Sequence, residues 1–434
     1  MNAILTAAIF IIVYIIIASE KINKTVIAVI GASLMLTLRL VTFENAVEAV
    51  DLNVIFLLVG MMTTVSILAK TGFFEWAATS IAKKSRGNPV VIMISLLLLT
   101  AVLSSMLDNV TTIILLVPVT ILISQILEIS PVPIAIMEAI ASNIGGTATL
   151  IGDPPNIIIG SETNLTFNQF IIHLGPVCAI ILAVMCFSAW LMFKKQWRIS
   201  ANVRNRVIES FPNLAIVDKK NMIKTLIVIG FMLIAFFLHS FTGLEPGVVA
   251  LGGSMVLMIL CKTKVDNALL KVEWGVIFFF IGLFMMIAAL EQNGILEMLA
   301  KSMFRLGGKN LLLMCIVILW GSAIFSAVLD NIPFVITMVP MIKYLIPSIA
   351  SSLGITDPSV IQTTIAQPMW WSLALGACLG GNGTLIGASA NVVMARICER
   401  NKYPIRFAHF SRYGIFFLLQ SMIICTIYIW LRYF

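Results

Sequence analysis

Residues Gly145-Gly146-Thr147-Ala148-Thr149-Leu150-Ile151-Gly152-Asp153-Pro154-Pro155-Asn156 interrupt a strongly apolar chain. A continuous helix cannot pass through them, because Pro154 and Pro155 lack backbone donors and the glycines make helical order costly. At membrane depth, broken backbone persists only where protein or a watery cavity satisfies its polar groups. A kink in a packed bundle would account for one such run. A run that recurs points to a substrate or ion site at the join of two half-helices. This one recurs: Gly380-Gly381-Asn382-Gly383-Thr384-Leu385-Ile386-Gly387 repeats it 235 positions later.

The surrounding composition settles the class. Of 434 residues, 60% are hydrophobic and 11% charged, with a mean hydropathy of +1.05. No soluble core buries that much apolar surface, so the expected fold is an all-α polytopic membrane protein with the lipid bilayer as partner. The formal net charge of +8 does not mark a nucleic-acid binder. Its basic residues stand in short loops between apolar runs, which is the positive-inside pattern. Seven cysteines lie scattered without a C-x-x-C pair, which argues against a disulfide framework or a zinc site. The first apolar run lacks a basic leader and a cleavage site and reads as a retained span. A nucleotide-binding motif is missing, which argues against direct ATP drive.

Spans are expected at about 3–18, 25–40 and 54–69. An amphipathic interfacial helix over 72–88 follows, where Phe73, Phe74, Trp76 and Ile81 precede Lys83-Lys84-Ser85-Arg86. Residues 89–128 are apolar except at Ser104-Ser105-Met106-Leu107-Asp108-Asn109. Two full spans would fit that length, but a re-entrant hairpin with Asp108 and Asn109 at its tip fits better. A turn emerging in water needs no apolar flanks so close. The broken helix and a span ending at Phe193 come next. Residues 194–224 carry eight Lys and Arg and are placed in the cytoplasm. Counting back puts Lys21, Lys24 and Lys83 to Arg86 on that side and the acidic 44–51 loop on the other. Lys301, Arg305 and Lys309 run against the scheme by falling outside.

The second half repeats the first. Asp108-Asn109-Val110 and Asp330-Asn331-Ile332 stand 222 positions apart, as do Asp51-Leu52-Asn53-Val54-Ile55-Phe56 and Glu273-Trp274-Gly275-Val276-Ile277-Phe278. The extra residues of the second half fall in 346–360. The expected organisation is repeat 1 over 1–193, a basic cytoplasmic linker over 194–221 and repeat 2 over 222–434. Each repeat holds about five crossings, one hairpin and one unwound helix. Five is odd, so the second copy is inverted and the two hairpin tips meet near the midplane, a transporter plan.

Two tips and two breaks therefore converge. The candidate ion- or substrate-binding residues are Asp108 and Asn109, Thr147, Thr149, Asp153 and Asn156, then Asp330 and Asn331, and Asn382, Thr384 and Asn391. Four helix starts would favour an anion. Yet three carboxylates sit in these motifs, without any Lys, Arg or His, which favours a cation such as sodium at Asp108, Asp330 and Asp153, or protons. Intramembrane acids are expensive and usually functional, and crowded carboxylates are suited to proton exchange. Helix capping is the bland alternative: Asp153 before Pro154 has the form of an N-cap. Asp153 has no counterpart, its place in the second half being taken by Ala388. His173, His239 and His409 lie far from the motifs and read as packed or interfacial. Cys378 reads as a small core residue, and Asn164-Leu165-Thr166 is a glycosylation sequon in an outer loop.

These motifs resemble the ion transporter superfamily over nearly the whole chain. The branch holding ArsB-type arsenite permeases, NhaD-type sodium/proton antiporters and the melanosomal P protein is the most similar. Ile144-Gly145-Gly146 through Asp153-Pro154-Pro155-Asn156 is P-protein-like, and Leu329-Asp330-Asn331-Ile332-Pro333 resembles NhaD and P proteins alike. Dicarboxylate transporters of the superfamily carry Ser-Asn-Thr at their hairpin tips. Asp108 and Asp330 stand in place of that Ser and would repel a carboxylate. The resemblance implies a homodimer moving as an elevator, with scaffold parts over about 1–87 and 222–308 and transport parts over about 88–193 and 309–434. The expected function is secondary antiport of sodium against protons, with no cofactor beyond the bound sodium or protons. The membrane is expected to be the plasma membrane of a prokaryote. Arsenite or antimonite efflux, and transport of an inorganic anion, citrate or dicarboxylate, are the alternatives within the branch. A channel is the alternative of another class.

Overall fold

The computed structural model describes the chain except residues 1, 19–20, 164, 195–196, 198, 201–202, 205–206, 208–210 and 308–309, and the side chains of 18, 303 and 305–307. The Asn164 sequon, Lys195, Arg198 and Arg206 of the basic linker, Lys309 and the Arg305 side chain thus lie outside the described residues.

The first half runs α1 (Asn2–Ala18), α2 (Lys24–Thr37), α3 (Phe43–Glu48), α4 (Leu52–Ala69), α5 (Phe73–Lys84), α6 (Pro89–Met106), α7 (Asn109–Ile126), α8 (Val132–Thr147), α9 (Pro154–Thr163) and α10 (Phe167–Phe193). The second runs α11 (Lys219–Thr242), α12 (Pro246–Leu260), α13 (Val265–Leu269), α14 (Trp274–Gln292), α15 (Ile295–Gly307), α16 (Leu311–Val328) and α17 (Asn331–Leu353). It continues as α18 (Gln367–Gly380), α19 (Ser389–Arg400) and α20 (Phe407–Tyr433). Among the described residues nine helices are long and apolar enough to cross a membrane, and α1, α2 and α12 are shorter apolar helices. Local sequence sets the starts: Asp51 caps α4, Asn88 caps α6 with Pro89 in the first turn, and Thr166 with Gln169 forms a capping box on α10.

The helix order recurs element by element. Helices α2 to α7 and α12 to α17 start 222 positions apart, α9 and α19 235 apart, and α10 and α20 240 apart. Helix α17 extends beyond its counterpart α7, and a short helix with a π-turn over Pro358–Val360 and Ile361–Ala366 takes up the rest of the insertion. Packing recurs as well. Helix α4 packs on α12 while α14 packs on α2; α6 packs on α8 as α16 does on α18; α19 packs on α7 as α9 does on α17.

Two glycines permit the first of these crossings. A Cβ on Gly60 would lie 2.3 Å from the Ala250 carbonyl carbon, and one on Gly282 would lie 2.8 Å from that of Ala28. In lipid, helices associate through such close van der Waals packing rather than through the hydrophobic effect. The packing places α4 in the interior, 72% of its span being buried, and leaves α11 and α20, at 33% each, to face lipid. Helix α5 lies on α7 and on the turn Pro212–Ala215, and Phe74 on it is wholly buried in protein.

Contacts also fix which ends share a face. Val217 N–H donates to Thr71 O (2.9 Å) and Arg204 Nε to Arg86 O (2.5 Å), so the ends of α4 and α5 meet the basic linker. Lys224 Nζ reaches Leu260 O (2.7 Å), and across the short connection to α14 the Thr25 hydroxyl donates to Gly275 O (2.7 Å). The α1–α2 turn therefore lies on the linker face. Asn53, Gly247 and Ser161 gather at the opposite face, where Asn53 accepts from Gly247 N–H (2.7 Å) and donates to Ser161 (3.3 Å).

Candidate functional site

The α6–α7 and α16–α17 turns pack against the two helix breaks, with Asp108 and Asn109 of the first and Asn331 of the second buried and Asp330 partly so. Each turn is tied to its break by matched bonds. Ser104 donates to Ser142 O (2.7 Å) and Thr149 to Ser105 O (2.6 Å); Ser326 donates to Ala377 O (2.6 Å) and Thr384 to Ala327 O (2.5 Å). The breaks themselves are held by asparagines reaching back to free carbonyls. Asn156 Nδ2 bonds Thr147 O (3.0 Å) and Thr149 O (2.8 Å), and Asn391 Nδ2 bonds Gly381 O (2.8 Å) and Thr384 O (3.0 Å). Unwound backbone leaves carbonyls without helical donors, and these side chains satisfy them. Thr147 donates to Asn143 O (2.6 Å) within its own helix.

Thr147, Thr149, Asn156, Thr384 and Asn391 thus have backbone partners in this conformation and do not line the central cavity. Asp108, Asn109, Asp153, Asp330 and Asn331 do line it. The cavity has a volume of about 290 Å³. Its wall includes residues absent from the motifs: Tyr14, Lys24, Glu273 and Arg396. The absence of Lys and Arg from the motifs is therefore no guide to the charge around the cavity. With all groups ionised, Asp108, Asp153, Glu273 and Asp330 outweigh Lys24 and Arg396 by two negative charges.

Asp153 is 1% exposed and sits among amides. Asn109 Nδ2 lies 3.3 Å from one carboxylate oxygen, and Asn331 Nδ2 3.4 and 3.5 Å from the two. These contacts are longer than the 2.9 Å typical of an N–H···O bond. Asn143, which sequence reading passed over, links the halves behind them. Its Oδ1 accepts from Asn109 (3.1 Å), and its Nδ2 donates to Asn382 Oδ1 (2.9 Å) and Asn391 Oδ1 (3.2 Å). The Asn382 Nδ2 atom is buried without a partner. Among the described residues no three His, Cys, Asp or Glu groups converge closely enough to hold a metal ion. The three aspartates line one cavity without meeting at one point, so a cation beside Asp153 would draw its remaining ligands from amides and backbone.

The two tips differ in one residue with a large consequence. Asp108 caps α7, accepting from Thr111 N–H (2.8 Å) and from the Thr111 hydroxyl. At Asp330 the corresponding position is Pro333, which has no N–H, and Asp330 makes no side-chain cap. Its carboxylate turns instead to Lys24 Nζ (2.5 Å) and the Ser389 hydroxyl (3.0 Å), and the other oxygen is buried without a partner. Pro333 was the readable signal for a free Asp330. Arg396 was readable as well, seven residues beyond Ser389 and so two turns down the same helix face. Lys24 left no such mark, because only the fold brings α2 to the tip.

The remaining candidates are placed elsewhere. His173 stacks between Trp371 and Tyr433, at 5.0 and 5.9 Å between ring centroids, and is a packing residue. Cys378 is fully buried, as a core residue is, with Sγ 3.5 Å from Asn156 Oδ1 behind the cavity wall. All seven cysteines are free.

A bundle of apolar helices with two polar turns packed against two helix breaks defines a multi-pass integral membrane protein with an internal polar site, a transporter rather than an enzyme. Residues 14–376 match the CitMHS family, described as citrate transporter, and the chain belongs to that family of the ion transporter superfamily. It is similar to an uncharacterized transporter of Mycobacterium tuberculosis, 39% identical over 436 residues that cover 100% of this chain and 99% of the relative. An uncharacterized transporter of Synechocystis sp. is 28% identical over 447 residues, covering 99% of this chain and 98% of the relative. The P protein of Mus musculus is 32% identical over 497 residues, 96% of this chain and 58% of its own length. The full-length bacterial relatives mark the chain as a prokaryotic membrane protein.

Proposed function

We propose that the protein is a secondary transporter exchanging a monovalent cation, sodium or lithium, for protons. The observation that carries this reading is Asp153: a carboxylate 1% exposed, set among amides, in a cavity with more acids than bases. Charge at that depth is costly unless it is compensated, and a small cation or a proton is the compensation that fits. The matched helix offsets, with α4 and α14 beginning on opposite faces, support two inverted repeats and alternating access. Ile22, Asn23 and Lys24 of the α1–α2 turn line the cavity, which supports a site open to the linker face. By its resemblance to the ion transporter superfamily, the protein would work as a homodimer moving as an elevator.

A second reading has one specific observation in its favour. Lys24 and Arg396 stand on the cavity wall, and the family is described as citrate transporter, so a carboxylate anion bound there would meet two cations. The excess of acids weighs against it. Purified protein in liposomes with a pH-sensitive dye inside separates the two. Proton flux triggered by sodium or lithium supports exchange. Silence with both, together with accumulation of citrate, would falsify it. Arsenite added in a third arm tests the remaining alternative.

A further inference from the structure

The ion pair between Lys24 and Asp330 joins α2 to the tip of the second hairpin, two elements far apart in sequence. The lysine is half-buried, with its side chain 32% exposed against 11% for the aspartate. Its ammonium donates to Asp330 Oδ2 (2.5 Å) and to the Ser389 hydroxyl (2.8 Å), and that hydroxyl donates on to the same carboxylate (3.0 Å). The ammonium also lies 5.0 Å from the centre of the Phe279 ring, whose negative face suits a cation. The pocket that holds it is therefore built from a carboxylate oxygen, a hydroxyl and an aromatic face. Asp108, Asp153, Glu273 and Arg396 are the other charged groups lining the same cavity. The second Asp330 oxygen stays buried and unpartnered.

The repeat shows that this arrangement is particular to one side. The counterpart of Lys24 is Pro246, that of Ser389 is Pro154, and that of Pro333 is Thr111, which occupies Asp108 by capping. Only Asp330 is both released from capping and met by a lysine.

We infer that Lys24 is a tethered cation that occupies the Asp330 subsite of the empty transporter, and that the transported cation must displace it. The inference rests on the cation reading above and adds a residue that sets its affinity. A built-in competitor raises the external concentration needed to fill the site. It also holds α2 against the hairpin until a cation arrives. For an anion the sign reverses, because removing Lys24 would remove a ligand.

The test uses the full chain in proteoliposomes and reads the sodium concentration that half-saturates proton flux. Lys24→Gln is expected to lower it about tenfold, between the small effect of an exposed pair and the large one of a buried pair. Lys24→Arg keeps a tethered cation and should hold the value above that of Lys24→Gln. Arg396→Gln removes the same charge from the same cavity without touching Asp330 and should shift the value far less. An unchanged or raised value in Lys24→Gln overturns the proposal, and so does an equal shift in Arg396→Gln. If Lys24→Gln does not fold, Lys24→Cys in a Cys261→Ser background replaces it, modified in place with an aminoethyl thiosulfonate. Restoring the ammonium should raise the sodium requirement again, and no change on modification refutes the idea. Wild-type protein that moves neither sodium nor lithium shows instead that the cation reading itself has failed.

Discussion

The seating of the first hairpin on the broken helix should fail if a single methyl group is added at Gly145. A Cβ there would lie 2.1 Å from Ala101 O and 2.6 Å from Ala101 Cα, where ordinary contact begins at 3.4 Å. The obstacle is backbone of α6, so no rotamer change relieves it. The helix must withdraw by roughly 1 Å, and overpacking of this kind costs about 1–3 kcal/mol or more. The same shift stretches the Ser104–Ser142 and Thr149–Ser105 bonds, now 2.7 and 2.6 Å, and carries Asn109 away from Asp153. Gly145→Ala should therefore lower the thermal midpoint in detergent and depress flux in liposomes. Gly380→Ala, facing Ala323 at 2.7 Å, should behave alike. The control is Gly321→Ala, which meets nothing within 4 Å and gains helix propensity worth about 0.5–1 kcal/mol. If Gly145→Ala melts and transports like wild type, or if Gly321→Ala is equally harmful, the packing argument is wrong.

Three further outcomes are expected. Asp153→Asn keeps the shape of the site but removes its most buried charge. A unit charge about 4 Å from a bound cation contributes about 4 kcal/mol at an effective dielectric of 20, so sodium-driven proton flux should fall by about a thousandfold while folding, read by size exclusion, is retained. Thr384→Val leaves Ala327 O without its donor and should cost about 1–3 kcal/mol in thermal unfolding; loss of flux with no loss of stability would instead make Thr384 a ligand. The Lys343–Glu162 pair at 2.6 Å is exposed by 45% and 33%, so Lys343→Gln should change stability by less than about 1 kcal/mol, and a larger drop in the melting curve would show that the pair closes the face opposite the cavity.

The sequence alone determined a great deal. Its apolar content made the chain a membrane protein, because no soluble core accommodates such surface. Pro154, Pro155 and the glycines broke the helix wherever they stood, because missing donors and backbone entropy act locally. The repeat located the second tip and the second break, since like sequences form like helices. These are short-range properties, and they were legible. The division of labour among the polar residues was not. Thr149, Asn156, Thr384 and Asn391 look like ligands in the motif but are turned to backbone carbonyls, which depends on where the unwound segments leave acceptors. Asn143 became the link between the halves, and Lys24 the partner of Asp330, only through the packing of helices far apart in the chain. Charge acts across space, and an ion pair spanning 306 positions is written in the tertiary structure alone.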